Sequence, residues 1–320
     1  MPRVASKTKP ARPRAAAKRP SRRAIAEEVK KLCRKAEIAR ERNDEEASRA
    51  ALERALALDP KCSDAIWWMG DYWHTVNKPA PALKYYRRYL YLHPGDAEAV
   101  HMIASLGGRP VPKRASDEYL RMHFDSYAED FDKSLLKELG YRAPKVLAAA
   151  ILKARGPKAP KADICDVGCG TGLMGLELKR IARTLTGVDL SRKMATQTRA
   201  RGIYDRVAVS EITKFLRANK ARYDIVTAAD VLIYFGDITA LFRAAARALR
   251  PGGLFAFTVE SRRGGTYHLT KTGRYAHNPV WLAKVATEAG LVKRGQVRAP
   301  LREEIGKPVP GYYGVFERLA

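Results

Sequence analysis

Hydrophobic and polar positions divide the chain into two parts with different periodicities. From Ala24 to position 106, apolar residues recur at helical spacing among interleaved acids and bases. Beyond position 108, short apolar runs alternate with amphipathic stretches. This pattern predicts strands at 162–167, 185–190, 207–209, 224–228 and 254–259, and helices at 173–183, 192–201, 212–219 and 238–249. Strict alternation of strand and helix predicts a parallel sheet covered on both faces.

The last forty residues break the alternation. A helical stretch at 279–289 is followed by two β-type runs, 291–297 and 312–318, with only loop between them. Strands joined without a helix pair as an antiparallel hairpin. The predicted fold class is therefore α/β, with a mostly parallel sheet, a C-terminal antiparallel hairpin at its edge and an all-α segment before it.

A linker separates the two parts. Residues 107–113, GGRPVPK, carry the Gly and Pro punctuation of a loop, and Ser116 followed by Asp117 and Glu118 is typical of a helix start. We predict a basic tail at 1–23, helical repeats at 24–108 and an α/β domain at 109–320.

The helical segment contains an internal repeat. Pro60 and Pro94 each close a helical stretch and lie 34 residues apart, which is the tetratricopeptide period. Gly70, Ala82 and Tyr86 fall at signature offsets, so the second unit resembles a tetratricopeptide repeat. About 2.5 repeats are predicted, the last ending at 106. Their aromatic residues either form the core or line a groove for a protein partner: Trp67, Trp68, Trp73, Tyr85, Tyr86, Tyr89 and Tyr91.

Charge adds a separate N-terminal feature. The chain has 60 Lys and Arg against 34 Asp and Glu, a net charge of +26, and nine of the basic residues lie in positions 1–23, where no acid occurs. Such a block is expected to be disordered. It is interpreted as a solvated tail, a site of nonspecific polyanion binding or a targeting signal. The absence of aromatic residues there disfavours base stacking.

Composition and sequence disfavour membrane-spanning, secreted and disulfide-rich or zinc-binding proteins. The longest apolar run, 146–152, has seven residues, against about 20 for a membrane span. Residues 1–23 lack the apolar core of a secretory signal, and the four cysteines form no CxxC pair. We expect a soluble, cytoplasmic protein with reduced thiols, no metal site and no membrane insertion.

A glycine-rich loop follows the first predicted strand of the α/β domain. Asp166 precedes Gly168, Gly170 and Gly172, and this loop lies where ligands bind in parallel sheets. The glycines leave room for a ligand near the backbone, and the next helix offers free N–H groups. Asp166 is an acceptor suited to a ligand ammonium. Asp189, at the end of the next strand, is positioned to bind both ribose hydroxyls of a nucleoside.

The spacing selects between two nucleoside cofactors. Nicotinamide dinucleotide sites carry GxGxxG, whereas this loop is GxGxG with Asp166 two residues ahead. A carboxylate at that point repels a pyrophosphate but attracts the α-amino group of S-adenosylmethionine. The residues therefore favour S-adenosylmethionine.

These motifs resemble a known family. DVGCGTG, GVDLS and LRPGGL are similar to Rossmann-like class I S-adenosylmethionine-dependent methyltransferases. Together with the repeats, FDSYA at 124–128, LGYRAP at 139–144, ADV at 229–231 and GRYAH at 273–277 resemble bacterial tetratricopeptide-containing methyltransferases.

The resemblance implies a set of cofactor contacts. Gly168, Gly170 and Gly172 would pass the methionine moiety, and Asp189, with Leu190 beside it, would hold the ribose. The same resemblance implies that Glu211 lies at the adenine amino group and that Asp230 faces the sulfonium. Met194 would either cover the adenine or belong to the core. Tyr127 and Phe131 would either cover the cofactor or pack between helices.

Methyl transfer from a sulfonium is an in-line displacement that requires alignment and exclusion of water. A base matters when the nucleophile is a hydroxyl, and His277 or else Tyr234 is the catalytic candidate. The acceptor is predicted to be a small molecule or a protein. A repeat scaffold that senses cofactor and a nucleic-acid methyltransferase are the alternatives, although AADVLIYF at 228–235 lacks the Pro-Pro-aromatic motif of amino-methylating DNA enzymes.

Overall fold

The computed structural model describes residues 21–133, 135, 139–304 and 306–320. Contacts between residues divide the chain into two compact units, with the boundary between Pro94 and Gly95. Among the described residues, no helix combines the length and the apolar character needed to cross a membrane.

The first unit consists of helices that pack against their neighbours in sequence. These are α1 (Arg22–Glu41), α2 (Glu45–Leu58), α3 (Ser63–Thr75) and α4 (Pro79–Leu92). Ser21 and Asp44 accept backbone N–H bonds that start α1 and α2. A Cβ on Gly70 would lie 2.8 Å from the Tyr86 ring, so α3 and α4 approach closely at this point.

Helix α1 includes the last two residues of the predicted basic tail. It begins at Arg22, whereas the tail was predicted to run to Arg23. The rest of the predicted tail, residues 1–20, lies outside the described residues.

The second unit combines helices with one sheet. Its helices are α5 (Ala97–Ser105), α6 (Asp117–Tyr127), α7 (Phe131–Lys133), α8 (Ala143–Arg155), α9 (Leu173–Leu178), α10 (Arg192–Ala200), α11 (Ile212–Ala218), α12 (Thr239–Ala248) and α13 (Pro279–Glu288). Its strands are β1 (Ala162–Val167), β2 (Ala182–Asp189), β3 (Arg206–Val209), β4 (Tyr223–Ala228), β5 (Leu249–Ser261), β6 (Tyr267–Leu269), β7 (Tyr275–His277), β8 (Leu291–Glu304) and β9 (Lys307–Arg318).

The sheet confirms the predicted α/β class. Strands β3, β2, β1, β4 and β5 lie side by side in that order and are parallel. Strand β9 pairs antiparallel with both β5 and β8. Side chains alternate along the parallel strands, so Val167 and Val226 enter one core while Ile164 and Ile225 enter the other, on the opposite face. This is a Rossmann-like sheet with antiparallel C-terminal strands.

Several element boundaries differ from the predictions. The helix predicted at 173–183 ends as α9 at Leu178 and continues as a 3₁₀ turn, Lys179–Ile181, before β2 begins. Strands β6 and β7 were not predicted because three residues are too few to show a period. The two last strands run longer than expected because they pair with each other along most of their length.

Helix α5 packs within the second unit. His101 Nε2 lies 2.7 Å from the carbonyl oxygen of Gly273, and Ala104 packs with Leu269 and Tyr275. The sequence placed this helix in the repeats and the boundary at Gly108. The Gly107-Gly108 pair ends the helix, but the contacts of its apolar face determine the unit to which it belongs.

Candidate active site

A cavity of 340 Å³ lies at the carboxyl ends of β1, β2 and β4, a volume typical of small-molecule sites. The predicted residues that line it are Tyr127, Phe131, Gly168, Gly170, Asp189, Leu190, Glu211, Asp230 and Tyr234. Other residues on its wall, none of them assigned from the sequence, include Arg114, His123, Phe124, Tyr141, Arg274 and Arg302.

The loop after β1 is bonded to the end of β2. Gly168 N–H donates to the carbonyl oxygen of Val188 at 2.7 Å, and Gly170 N–H donates to Asp189 Oδ2 at 2.8 Å. Gly168 has φ +64°, and a Cβ there would lie 2.4 Å from Val231 Cγ2. Glycine is required at this position because both the backbone conformation and the space exclude a side chain.

Asp189 forms part of the cavity wall, and backbone N–H groups hold its carboxylate in place. Oδ1 accepts the N–H of Ser191 at 2.8 Å, and Oδ2 accepts the N–H of Gly170. The backbone of Leu190 contributes a further hydrogen bond to this carboxylate, and a carboxylate accepts about four, so acceptor capacity remains for a ligand. A carboxylate acceptor on the cavity wall fits a ribose hydroxyl.

Asp166 has a structural role that the sequence did not indicate. It is 1% exposed, and its carboxylate accepts hydrogen bonds from Tyr204 Oη at 2.7 Å and Thr227 Oγ1 at 2.9 Å. It does not line the cavity. The predicted contact with a ligand ammonium is therefore not supported, because this carboxylate is buried against Tyr204 and Thr227 and does not face the cavity.

Two further predicted cofactor residues do not reach the cavity wall. Met194 is completely buried, in agreement with the alternative that it is a core residue. Gly172 has φ +96° at the start of α9, and a Cβ there would lie 3.1 Å from both Arg201 and Tyr204. Its glycine is required by helix geometry rather than by contact with the cavity.

Glu211 lines the cavity, but its carboxylate is already engaged. It caps α11 by accepting the N–H groups of Thr213 at 2.9 Å and Lys214 at 2.7 Å, and it pairs with Arg114 Nη1 at 3.0 Å. These contacts outweigh the effect of its burial and lower the pKa of Glu211. Any bond to an adenine amino group would have to share these oxygens.

Asp230 belongs to a buried ionic cluster that the sequence did not predict. Its carboxylate oxygens lie 3.1 and 3.0 Å from Arg302 Nη1, and Arg302 also pairs with Glu260 and Glu304. Arg274 Nε donates to Glu260 Oε1 at 3.1 Å, and Arg274 Nη2 pairs with Glu304. We call these five residues the ionic cluster. No local sequence motif indicates this cluster, because its members come from distant segments of the chain.

Helices α6 and α7 contribute aromatic rings to the cavity wall and are attached to α10 and the glycine loop. Asp125 accepts a hydrogen bond from Ser191 Oγ, and Gln197 Nε2 donates to the carbonyl oxygen of Ala128 at 2.6 Å. Asp132 pairs with Arg201 and accepts a hydrogen bond from Thr171 Oγ1. Asp125 and Asp132 therefore fix the two helices so that their aromatic rings face the cavity.

The two catalytic candidates lie in different environments. Tyr234 lines the cavity, whereas His277 is completely buried and does not. His277 Nε2 lies 2.7 Å from the carbonyl oxygen of Phe235, and its ring stacks on Trp281. Burial lowers the pKa of His277 to about 4. The prediction that His277 is the base is not supported, because its ring binds the backbone and cannot reach a substrate.

Comparisons with known proteins agree with this geometry. Residues 139–289 match the family model described as a methyltransferase domain. The chain is similar to the ubiquinone biosynthesis O-methyltransferases of Thiobacillus denitrificans, with 29% identity over 43% of this chain and 67% of the relative, and of Xanthomonas oryzae pv. oryzae, with 29% identity over 35% of this chain and 48% of the relative. The chain thus spans between about half and two thirds of the length of these relatives.

A solved structure shows the same fold. Burkholderia thailandensis 1,6-didemethyltoxoflavin-N1-methyltransferase, crystallised with 1,6-didemethyltoxoflavin and S-adenosylhomocysteine, has a TM-score of 0.52 and 20% identity, and the match covers 66% of this chain and 94% of that one. Residues 139–289 are therefore similar to a methyltransferase domain, and the likeness to the solved structure shows that the fold is the same.

Cofactor affinity is expected to fall as the pH is lowered through about 6. Burial raises the pKa of Asp189 to about 6, so its carboxylate is ionised above that pH and protonated below it. Protonation removes acceptor capacity for ribose hydroxyls, so calorimetric titration with S-adenosylhomocysteine from pH 8 to pH 5 should show weaker binding at the acid end.

An Asp166→Asn variant is the matched control for this titration, because burial also raises the pKa of Asp166 to about 6. The variant should keep the pH dependence of binding. An unchanged affinity down to pH 5 in the wild type, or loss of the transition in Asp166→Asn, would contradict the assignment to Asp189.

Proposed function

We propose that this protein transfers the methyl group of S-adenosylmethionine to a small-molecule acceptor that binds beside the cofactor in the same cavity. The observation that carries the proposal is that the predicted cofactor residues and other polar and aromatic residues line one cavity. Asp189 and Gly170 line the same cavity as Tyr234, Arg274 and the rings of α6. A ligand bound on Asp189 therefore has a second, chemically different surface next to it.

The cofactor supplies an electrophilic methyl group on a positively charged sulfur. Asp189 binds the ribose, and Gly168 and Gly170 let the methionine portion lie against the backbone. Asp230 would face the sulfonium, with its carboxylate held in place by Arg302. The rings of Tyr127 and Phe131 exclude water, which favours an in-line displacement between aligned groups.

The function is tested by incubating the protein with lysate and cofactor labelled on the methyl group, and then separating products by size. A labelled small molecule together with accumulation of S-adenosylhomocysteine supports the proposal. Label in protein or nucleic acid would instead identify a macromolecular acceptor. Cofactor binding without any S-adenosylhomocysteine would favour the alternative of a cofactor-sensing scaffold.

Two variants control this incubation. Asp189→Ala should give no labelled product because cofactor binding is lost. A chain lacking residues 1–20, which removes seven of the basic residues, should give the same product as the full chain. If that deletion abolished transfer while S-adenosylhomocysteine still bound, the acceptor would be a polyanion.

We further propose that α1 to α4 are two tetratricopeptide repeats and that they bind a protein partner. Support comes from their spacing, because α2 and α4 end at Leu58 and Leu92, 34 residues apart. Ala82 is completely buried at one of the repeat's small positions. Tyr91 is 84% exposed on α4 and offers an aromatic contact to a partner.

A further inference from the structure

Three polar groups at the acceptor side of the cavity have no hydrogen-bond partner among the described residues. They are the ring nitrogens of His123, the hydroxyl of Tyr234 and Nη1 of Arg274, whose other guanidinium nitrogens bind Glu260 and Glu304. None of the three is among the fully enclosed polar atoms that lack a hydrogen-bond partner in the described part of the chain. They therefore remain accessible to a ligand that enters the cavity.

The surroundings keep His123 neutral. Its ring lies among aromatic side chains, 5.2 Å from Phe124 and 6.3 Å from Tyr127 between centroids. Burial lowers the pKa of His123, and the positive charges of Arg274 and His101 lower it further. In the neutral form one ring nitrogen keeps a free lone pair, which can accept a proton from a hydroxyl group bound next to it.

Two sets of contacts within the second unit hold Arg274 in position. Its guanidinium pairs with the two glutamates of the ionic cluster, and the residue before it, Gly273, is bonded through its carbonyl oxygen to His101. A fixed guanidinium beside a reacting group stabilises a negative charge that develops there, and it penalises a positive one. This electrostatic preference favours an oxygen nucleophile over an amine, whose methylation passes through a cation.

We propose that the acceptor is a hydroxyl compound, that His123 is the catalytic base that deprotonates it, and that Arg274 stabilises the resulting oxyanion. This inference rests on the proposed function and deepens it. The hydroxyl proton passes to a ring nitrogen of His123. The oxygen forms a bond to the methyl carbon while the carbon–sulfur bond breaks, and its electron pair stays on sulfur. His123 then returns its proton to solvent.

The test uses 4-nitrophenol, whose absorbance distinguishes phenol from phenolate, with protein saturated by S-adenosylhomocysteine. In the wild type we expect the apparent pKa of the bound probe to fall by about one unit, the effect of a nearby opposite charge. At a pH where the free probe is half ionised, the carbon-13 signals of the His123 ring should shift to those of imidazolium when the probe binds.

Variants separate the two roles. Arg274→Gln should abolish the shift in probe pKa, whereas Arg274→Lys, which keeps the charge, should retain most of it. His123→Gln should retain the shift in probe pKa, but the phenol proton should be released to the solvent. This release is measured as a change of pH in a weakly buffered solution. Arg243→Gln and His268→Gln change exposed residues outside the cavity and should behave as the wild type.

Three outcomes would overturn the inference. These are absence of probe binding with S-adenosylhomocysteine in place, an unshifted probe pKa in the wild type, and a His123 ring that stays neutral while the phenolate is bound. Failure of S-adenosylhomocysteine itself to bind would instead reject the proposed function, so the two failures are distinguishable by calorimetry before the probe is added.

Discussion

Replacing Arg302 with methionine is expected to lower the free energy of unfolding by about 3 kcal/mol, because it leaves Asp230 without its paired cation and leaves Arg274 alone to balance Glu260 and Glu304. Arg302 is 3% exposed and pairs with Asp230, Glu260 and Glu304. Glu260 is also buried, and its burial already raises its pKa even with both arginines present. Urea unfolding of the wild type and the variant at pH 8 measures the loss.

The loss should be smaller at acid pH. Without Arg302, the pKa of Glu260 rises further above its unfolded value, so the destabilisation is complete well above that higher pKa and shrinks as the pH falls through it. The difference between variant and wild type should therefore be smaller at pH 5 than at pH 8.

Arg294→Met is the matched control for the Arg302 variant. Arg294 forms an ion pair with Glu317, and its side chain is 53% exposed, so solvent screens the pair and its loss should cost much less than the loss of Arg302. Equal losses in the two variants, or an Arg302 variant with no pH dependence, would show that the ionic cluster does not depend on its central arginine.

Replacing Asp189 with alanine is expected to weaken S-adenosylhomocysteine binding at least about tenfold, equivalent to about 1.4 kcal/mol. The carboxylate offers acceptor capacity to a ligand in the cavity, and alanine supplies none. Isothermal calorimetry at pH 8, where the wild-type carboxylate is ionised, measures the change. Circular dichroism shows whether the variant is folded.

An Asp189→Asn variant separates charge from shape. Its side chain has the same size but only one acceptor oxygen, so its affinity should lie between those of the wild type and Asp189→Ala. Asp237→Asn, which changes an acid outside the cavity, should bind as the wild type does. Affinity like that of the wild type in a folded Asp189→Ala variant would place the ribose elsewhere.

Local patterns were sufficient for the fold and for the position of the cavity at the edge of the sheet. The alternation of apolar runs with helical stretches predicted β1 to β5 in their order, because burial on both faces of a parallel sheet imposes it on the sequence. The glycine loop was identifiable because backbone conformation and close packing exclude side chains at Gly168. Asp189 was identifiable because a strand end positions it at the same edge of the sheet.

The sequence did not determine which polar residues face the cavity. Asp166 and Asp189 both lie near the ends of adjacent strands, yet Asp166 bonds Tyr204 and Thr227 away from the cavity, whereas Asp189 lines the cavity. In the segment 273–277, the sequence favoured His277, whereas the structure brings Arg274 to the cavity and buries His277 against Phe235.

The physical reason is the range of the interactions involved. Periodicity, helix caps and glycine conformations depend on residues within a few positions of one another, so the sequence by itself determined the elements, the loop and the cofactor class. Asp230 meets Arg302 across 72 positions, and His101 meets Gly273 across 172. Only tertiary packing brings such partners together, and it therefore decided which acids are neutralised, which histidine is accessible and where α5 belongs.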